Sequence, residues 1–271
     1  MRRLVFIFTL LFFIVFIIIG IVLLSSKKPK KISPFEAKSS FETLLKEAKE
    51  LEEKSDLLSA KAIYQRLITE FPNSNQIVQW QKKIEEINIK LLFSPIITKG
   101  SILYEIKPND TLYKIAREFN TTVELIMQAN NLKSDRIYPG KKIKVWTQPF
   151  SIIVDKSENT LILKSNEEII KTYIVSTGEN NSTPTGTFKI VNKLKNPTWY
   201  KAGAVVAPSS PENILGSRWM GFDLKGYGIH GTVEPQNLGK SITQGCIRMS
   251  NQDVEELYTI VPLGTEVTIV E

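Results

Sequence analysis

The sequence predicts a multidomain chain. An N-terminal transmembrane helix is followed by a helical hairpin region, a small α+β unit of strand–helix–helix–strand order, and a mostly-β C-terminal domain. Three observations lead there: an uncharged run from Leu4 to Leu24, helical spacing of apolar residues over 36–92, and a change after Phe150 to short alternating runs broken by glycine and proline. A length of 271 residues leaves room for two or three compact units. The 42 % apolar and 23 % charged content is ordinary for globular protein.

Residues 4–24, LVFIFTLLFFIVFIIIGIVLL, are long enough to cross a hydrocarbon core of about 30 Å as a helix. A cleaved signal peptide would have a shorter apolar core and a small-residue cleavage site. SSKKPKK follows instead, so an uncleaved single-pass anchor is expected, with cleavage as the alternative. Arg2 and Arg3 flank one end and Lys27, Lys28, Lys30 and Lys31 the other, a balance that leans towards a cytoplasmic C-terminal side. The net charge of +7 suits an anionic partner such as a membrane surface or wall polymer. Nucleic acid is discounted, because no arginine-rich helix, zinc spacing or aromatic RNA-binding motif accompanies the charge.

In 36–92, Asp56 is placed to cap a helix whose apolar positions Leu57, Ala60, Ile63, Tyr64, Leu67, Ile68 and Phe71 share a face. Pro72-Asn73-Ser74 ends it, and a further helix carries Ile77, Trp80, Ile84, Ile87 and Leu91. The alanine–tyrosine–phenylalanine–proline pattern resembles about one tetratricopeptide repeat. The expectation is a TPR-like spacer, with docking of another envelope protein as the alternative.

Between 102 and 147, Tyr104 and Ile106 alternate with polar residues as in a short strand. Asp110 is placed to cap a helix with Leu112, Ile115 and Ala116, and Thr121 with Glu124 reads as a capping box for a second helix with Val123, Leu125, Ile126 and Ala129. Asn130-Asn131 closes that helix, Pro139-Gly140 turns the chain, and Ile143 and Val145 alternate in a last strand. KPNDTLYKIAREF, ANNL and IYPGKKIKV resemble the motifs of a LysM domain in order and place. The resemblance implies binding of N-acetylglucosamine-containing glycan strands such as those of peptidoglycan.

From residue 150 to 271, three strands read out of FSIIVDKSENTLILKSNEEIIKTYIVSTG, with further strand material in TPTGTFKIV, DLKGYGIHGT and GTEVTIVE. NQDVEELYTIV is the one clear helix, with Asn251 as its cap. Here lie the only histidine, His230, and the only cysteine, Cys246, 16 residues apart. One cysteine leaves an inert buried thiol, an intermolecular bridge or a nucleophile. Imidazole within hydrogen-bond reach can deprotonate a thiol, but at this spacing the two meet only at neighbouring strand ends. Gly228, Gly231 and Gly245 around them point to crowded or unusual backbone.

STPTGTFKI, NPTWY, SPENILGSRWMGFD, YGIHGT and GCIRMSNQDVEELYTIVPLGT resemble the YkuD-type L,D-transpeptidase catalytic domain in order and spacing. The resemblance implies Cys246 as nucleophile, His230 as general base and the Gly231 carbonyl as the group that orients the imidazole. It also implies that Arg248 holds the site or a substrate carboxylate, and that amides at Gly245 and Cys246 meet the oxyanion. Many family members carry histidine immediately before the Gly-Cys pair; this chain has Gln244, so His230 is its sole imidazole. The implied reaction is acyl transfer from a peptidoglycan stem tetrapeptide to an acceptor amine, giving a 3–3 cross-link, with susceptibility of the thiol to carbapenems. No metal and no cofactor are implied, since one cysteine and one histidine make no usual zinc site. The substrate in turn implies C-terminal domains in the periplasm or extracytoplasmic space, against the local lysine bias. A non-catalytic peptidoglycan-anchoring envelope protein and an L,D-carboxypeptidase on the same scaffold are the alternatives.

Overall fold

The computed structural model describes residues 34–201 and 203–271. The anchor expected at 4–24 lies outside the described residues; among these, no helix is long and apolar enough to cross a membrane. Helix α1 (Pro34–Glu53) comes first, and the chain divides after Lys46 into two units. All later helices and strands lie in the second unit.

Helices α2 (Leu57–Glu70) and α3 (Ile77–Leu92) form the expected hairpin. Asp56 caps α2, its carboxylate accepting from the Ser59 amide, and Ala60, Ile63, Tyr64 and Leu67 are buried. The α+β unit follows as β1 (Ser101–Glu105), α4 (Leu112–Glu118), α5 (Val123–Ala129) and β2 (Lys142–Trp146), with β1 and β2 antiparallel. Tyr104, Ile106, Leu112, Ile115, Ile126, Ile143 and Val145 make its core.

Two expected caps shift by one residue. Thr111, not Asp110, accepts from the Lys114 amide at the start of α4. Asp110 is committed elsewhere, taking the Tyr104 hydroxyl at 2.9 Å and the Lys107 amide at 2.8 Å. Thr122, not Thr121, accepts from the Leu125 amide at 2.8 Å at the start of α5. Glu124, freed from a capping box, reaches Lys195 at 2.8 Å.

The C-terminal domain contains β3 (Phe150–Asp155), β4 (Thr160–Ser165), β5 (Glu168–Ile174), β6 (Thr177–Gly178), β7 (Gly186–Lys195), β8 (Trp199–Lys201) and β9 (Ala204–Val206). It continues with β10 (Arg218–Phe222), β11 (Gly228–His230), β12 (Ser241–Thr243), β13 (Ile247–Arg248), α6 (Asn251–Ile260) and β14 (Glu266–Val270). Eight strands form one sheet in the order β13-β11-β10-β7-β14-β3-β4-β5. The β14–β3 and β11–β13 pairs are parallel, and the other neighbours are antiparallel. Alternation along β3 and β4 buries Ile152, Val154, Leu161 and Leu163, and α6 adds Val254, Leu257 and Ile260 to the same core. The N-cap of α6 is Ser250, which accepts from the Asp253 amide at 3.0 Å, rather than Asn251.

The segments are joined by packing as well as by chain. Asn88 on α3 donates its amide to the carbonyls of Ile169 and Ile170, both at 3.1 Å, on the edge strand β5. The Thr172 hydroxyl meets Glu85 at 3.1 Å, and Lys61 pairs with Glu168. The helices therefore cover an edge that would otherwise present unpaired backbone groups. Lys144 on β2, 2 % exposed, donates to the carbonyls of Leu91 and Ser94 at 2.6 and 2.9 Å, just where α3 ends. Leu92 of α3, with Leu125 and Trp146 of the α+β unit, belongs to the core cluster of the C-terminal domain, where the Trp146 ring stacks on Phe150 at 5.7 Å.

Replacing Asn88 by alanine would leave buried carbonyls on β5 without their donor. A loss of about 1–3 kcal/mol is expected, measured by urea unfolding; an unchanged midpoint would mean that α3 does not hold the edge.

Candidate active site

Strands β11 and β13 are short, and their apolar residues fix how they sit. Ile229 and Ile247 are paired in register and both fully buried. Alternation then turns His230 and Arg248, the next pair, to the opposite face, and Cys246 just before β13 to that same face. His230, Cys246 and Arg248 all line one cleft of about 630 Å³. Trp199, Tyr200, Trp219 and Tyr227 give it aromatic walls, and Arg248 is the one permanent charge among its described lining residues.

The imidazole is held on two sides. Its Nδ1 lies 2.7 Å from the Gly231 carbonyl, which can only accept, so the neutral ring carries its proton on Nδ1 and leaves Nε2 with a lone pair. Trp219, opposite His230 in the β10–β11 ladder, stacks on the ring at 6.0 Å and 21°. Trp219 is itself fixed by its indole N–H, which donates to Asn192 at 2.9 Å.

The loop that carries the sulfur is built from threonines. Thr243, at the end of β12, donates its hydroxyl to the Cys246 carbonyl at 2.6 Å and accepts from the Gly245 amide at 3.2 Å. Thr183 donates to the Gly245 carbonyl at 2.9 Å and accepts from the Gly178 amide at 2.7 Å. Gly245 has φ +123°, where an L side chain is strained, and a Cβ there would also press on Tyr227. Its amide is engaged by the Thr243 hydroxyl.

Burial above all, helped by the Arg248 charge and opposed by the Gly231 hydrogen bond, brings the His230 pKa down to about 4. Burial pushes the Cys246 thiol up, against the Gly228 amide and the Arg248 charge, which both favour thiolate. The thiol is partly exposed and points to the Gly226 carbonyl at 3.5 Å, and no hydrogen bond joins it to the ring. At neutral pH the pair is a thiol beside a neutral base, not a preformed ion pair. Arg248 pairs with Glu234 at 3.6 Å, while its Nε is buried without a partner.

The L,D-transpeptidase catalytic domain of the YkuD family matches residues 149–269, and the LysM domain matches residues 104–146. YkuD of Bacillus subtilis strain 168, named as an L,D-transpeptidase, is 37 % identical over 175 residues, covering 62 % of this chain and 98 % of that protein. The chain belongs to the YkuD family of L,D-transpeptidases. YkuD of Bacillus licheniformis is 37 % identical over 176 residues, covering 62 % of this chain and 98 % of its own. YqjB of B. subtilis, also named as an L,D-transpeptidase, is 40 % identical over 126 residues, covering 44 % and 70 %.

In this L,D-transpeptidase family member the five residues singled out from the sequence come together around one loop and one strand pair: His230, Gly231, Gly245, Cys246 and Arg248. Sequence reasoning missed Thr183 and Thr243, whose hydroxyls set the loop, and Trp219, which covers the ring. Thr183 stands in STPTGTFKI and Trp219 in the SPENILGSRWMGFD motif, but neither motif states what its side chain touches.

Two titrations follow from this electrostatic balance. The lone imidazole, followed by NMR, is expected to protonate near pH 4 rather than near its free value of about 6.5. Arg248→Gln removes a neighbouring positive charge and so should raise that pKa. Alkylation of Cys246 by iodoacetamide should inflect above the ordinary thiol value, and Arg248→Gln should move it higher still, because the thiolate loses its cation. A ring that titrates at its free value would refute the buried, neutral base.

Proposed function

We propose that the chain is a peptidoglycan L,D-transpeptidase that forms 3–3 cross-links by acyl transfer through Cys246. The observation that carries this reading is the placing of His230, Cys246 and Arg248 on one face of the β11–β13 pair, in one cleft, with the imidazole fixed as the Nδ1–H tautomer.

His230 Nε2 takes the thiol proton as Sγ attacks the carbonyl of the third residue of a stem tetrapeptide. The tetrahedral intermediate collapses with cleavage of the C–N bond to the terminal D-alanine, whose amine receives the proton from the imidazolium. A thioester on Cys246 remains. The side-chain amine of a second stem then attacks it, His230 takes that amine's proton, and Sγ leaves as the thiolate and is reprotonated. Because Gly245's amide is engaged, the Cys246 amide is the backbone donor left beside the oxyanion. The Arg248 guanidinium, which lines the cleft, supplies a cation for a substrate carboxylate.

The LysM domain supplies the glycan-binding half of the same reading. A peptidoglycan substrate also calls for both domains outside the cytoplasmic membrane, with residues 4–24 as the anchor. A reporter fused after Glu271 and active only in the cytoplasm would overturn that placement.

The deciding experiment incubates the protein with disaccharide-tetrapeptide and weighs the products by mass spectrometry. A cross-linked dimer with release of D-alanine is expected; tripeptide alone means a carboxypeptidase, and unchanged substrate means a tether. Cys246→Ala should lose all product, a fall of at least about 10³-fold on the scale of a removed nucleophile, while still sedimenting with purified sacculi. Loss of sedimentation in that variant would unseat the LysM domain as the anchor.

A further inference from the structure

The helix that follows the nucleophile loop begins with a side chain turned away from helix capping. Ser250 satisfies the first turn of α6, accepting from the Asp253 amide at 3.0 Å. Asn251 is thereby spare, and its Oδ1 accepts from the amides of Thr232 at 3.2 Å and Ser217 at 3.0 Å. The Thr232 amide and the Gly231 carbonyl belong to one planar peptide unit. That carbonyl is the group 2.7 Å from His230 Nδ1. One rigid plate is thus gripped at its N–H end by Asn251 and at its C=O end by the imidazole.

Space has been cleared for this grip. A Cβ at either Gly216 or Gly231 would overlap Asn251 Oδ1, so both positions leave room for an oxygen where a side chain would stand. The Gly231 amide adds a tie to the Arg218 carbonyl at 3.2 Å, on the strand that also carries Trp219.

We propose that Asn251 is a positioning residue for His230: through the Gly231–Thr232 peptide unit it sets the tautomer and the aim of the imidazole. With its amide end unheld, the plate can turn, the Nδ1–H bond weakens, and the neutral ring samples the Nε2–H form. That form has no lone pair on Nε2 to receive a thiol proton. The functional meaning rests on His230 serving as the base proposed above; the structural part does not.

The test uses the whole chain and its single histidine, whose two ring nitrogens give unambiguous signals in long-range ¹H–¹⁵N spectra. At neutral pH the native protein should show Nδ1–H alone. Asn251→Ala should show a mixture of tautomers, with kcat for dimer formation down roughly 10- to 100-fold, the scale of lost supporting contacts around a site, and KM unchanged. Asn251→Asp keeps the acceptor and should return the ring to Nδ1–H. Its added negative charge should also raise the ring's pKa. Ser250→Ala, which removes the true cap of the same helix, should lower stability and leave the tautomer alone. A native tautomer in Asn251→Ala, or an equal disturbance in Ser250→Ala, overturns the proposal. If Asn251→Ala does not fold, Asn251→Asp decides: a raised ring pKa supports the grip and an unchanged one ends it. The spectra need no substrate, so an inactive native protein would count against the transpeptidase reading while leaving this test intact.

Discussion

The site depends on one contact, the parallel pairing of β11 with β13. Nothing nearer in sequence brings His230 and Cys246 to one cleft, since the intervening residues leave the sheet and return. The pairing is held from below by Ile229 and Ile247 in the core and from within by the Met249 amide on the His230 carbonyl at 2.8 Å. Beyond β13, Ser176 exchanges both backbone hydrogen bonds with Arg248, at 2.8 and 2.9 Å, so the outermost strand of the site is not a loose edge. A one-residue slip of β13 would turn Cys246 and Arg248 towards the core and bring Ile247 to the cleft.

Lys144, buried, and Lys193, half-buried, repeat one device. Lys144 ends at the carbonyls that close α3, and Lys193 donates to the Tyr258 and Val261 carbonyls at the end of α6, at 2.6 and 2.7 Å. The last carbonyls of a helix lack intrahelical donors and carry the negative end of its dipole, so an ammonium there satisfies both needs at once. Desolvation lowers each lysine to a pKa of about 8. Lys193 also lies 4.2 Å from the Tyr258 ring centroid. In each case a strand side chain fastens a helix end that would otherwise need water.

Much of this was legible in the sequence because it is local. Alternation at Ile152, Val154, Leu161 and Leu163 marks strands, helical spacing at Ala60, Tyr64 and Leu67 marks a helix, and a lone cysteine with a lone histidine in glycine-rich motifs marks the site. The three displaced caps share a cause. Asp110-Thr111, Thr121-Thr122 and Ser250-Asn251 each offer two adjacent oxygen-bearing side chains, and spacing alone does not say which one the turn aims at the amides. Asn251 went unread for that reason: a residue that looks like a cap is spent on partners 19 and 34 positions away. The docking of α3 on β5 was equally hidden. Periodicity tells that Trp80, Ile84 and Ile87 are buried on one face, and says nothing of the edge strand that Asn88 reaches beside them.

The shared core around Trp146 and Phe150 has a further consequence. A module on a slack tether would take any orientation to its neighbour. Here Leu125 and Trp146 are buried in the same cluster as the strands of the catalytic domain, and Thr122 bonds to the Thr259 carbonyl on α6. Shared burial and that hydrogen bond hold the LysM domain and the catalytic domain at a set offset and a set angle. The two modules are built as one stiff piece, where a leash would leave their mutual orientation to diffusion.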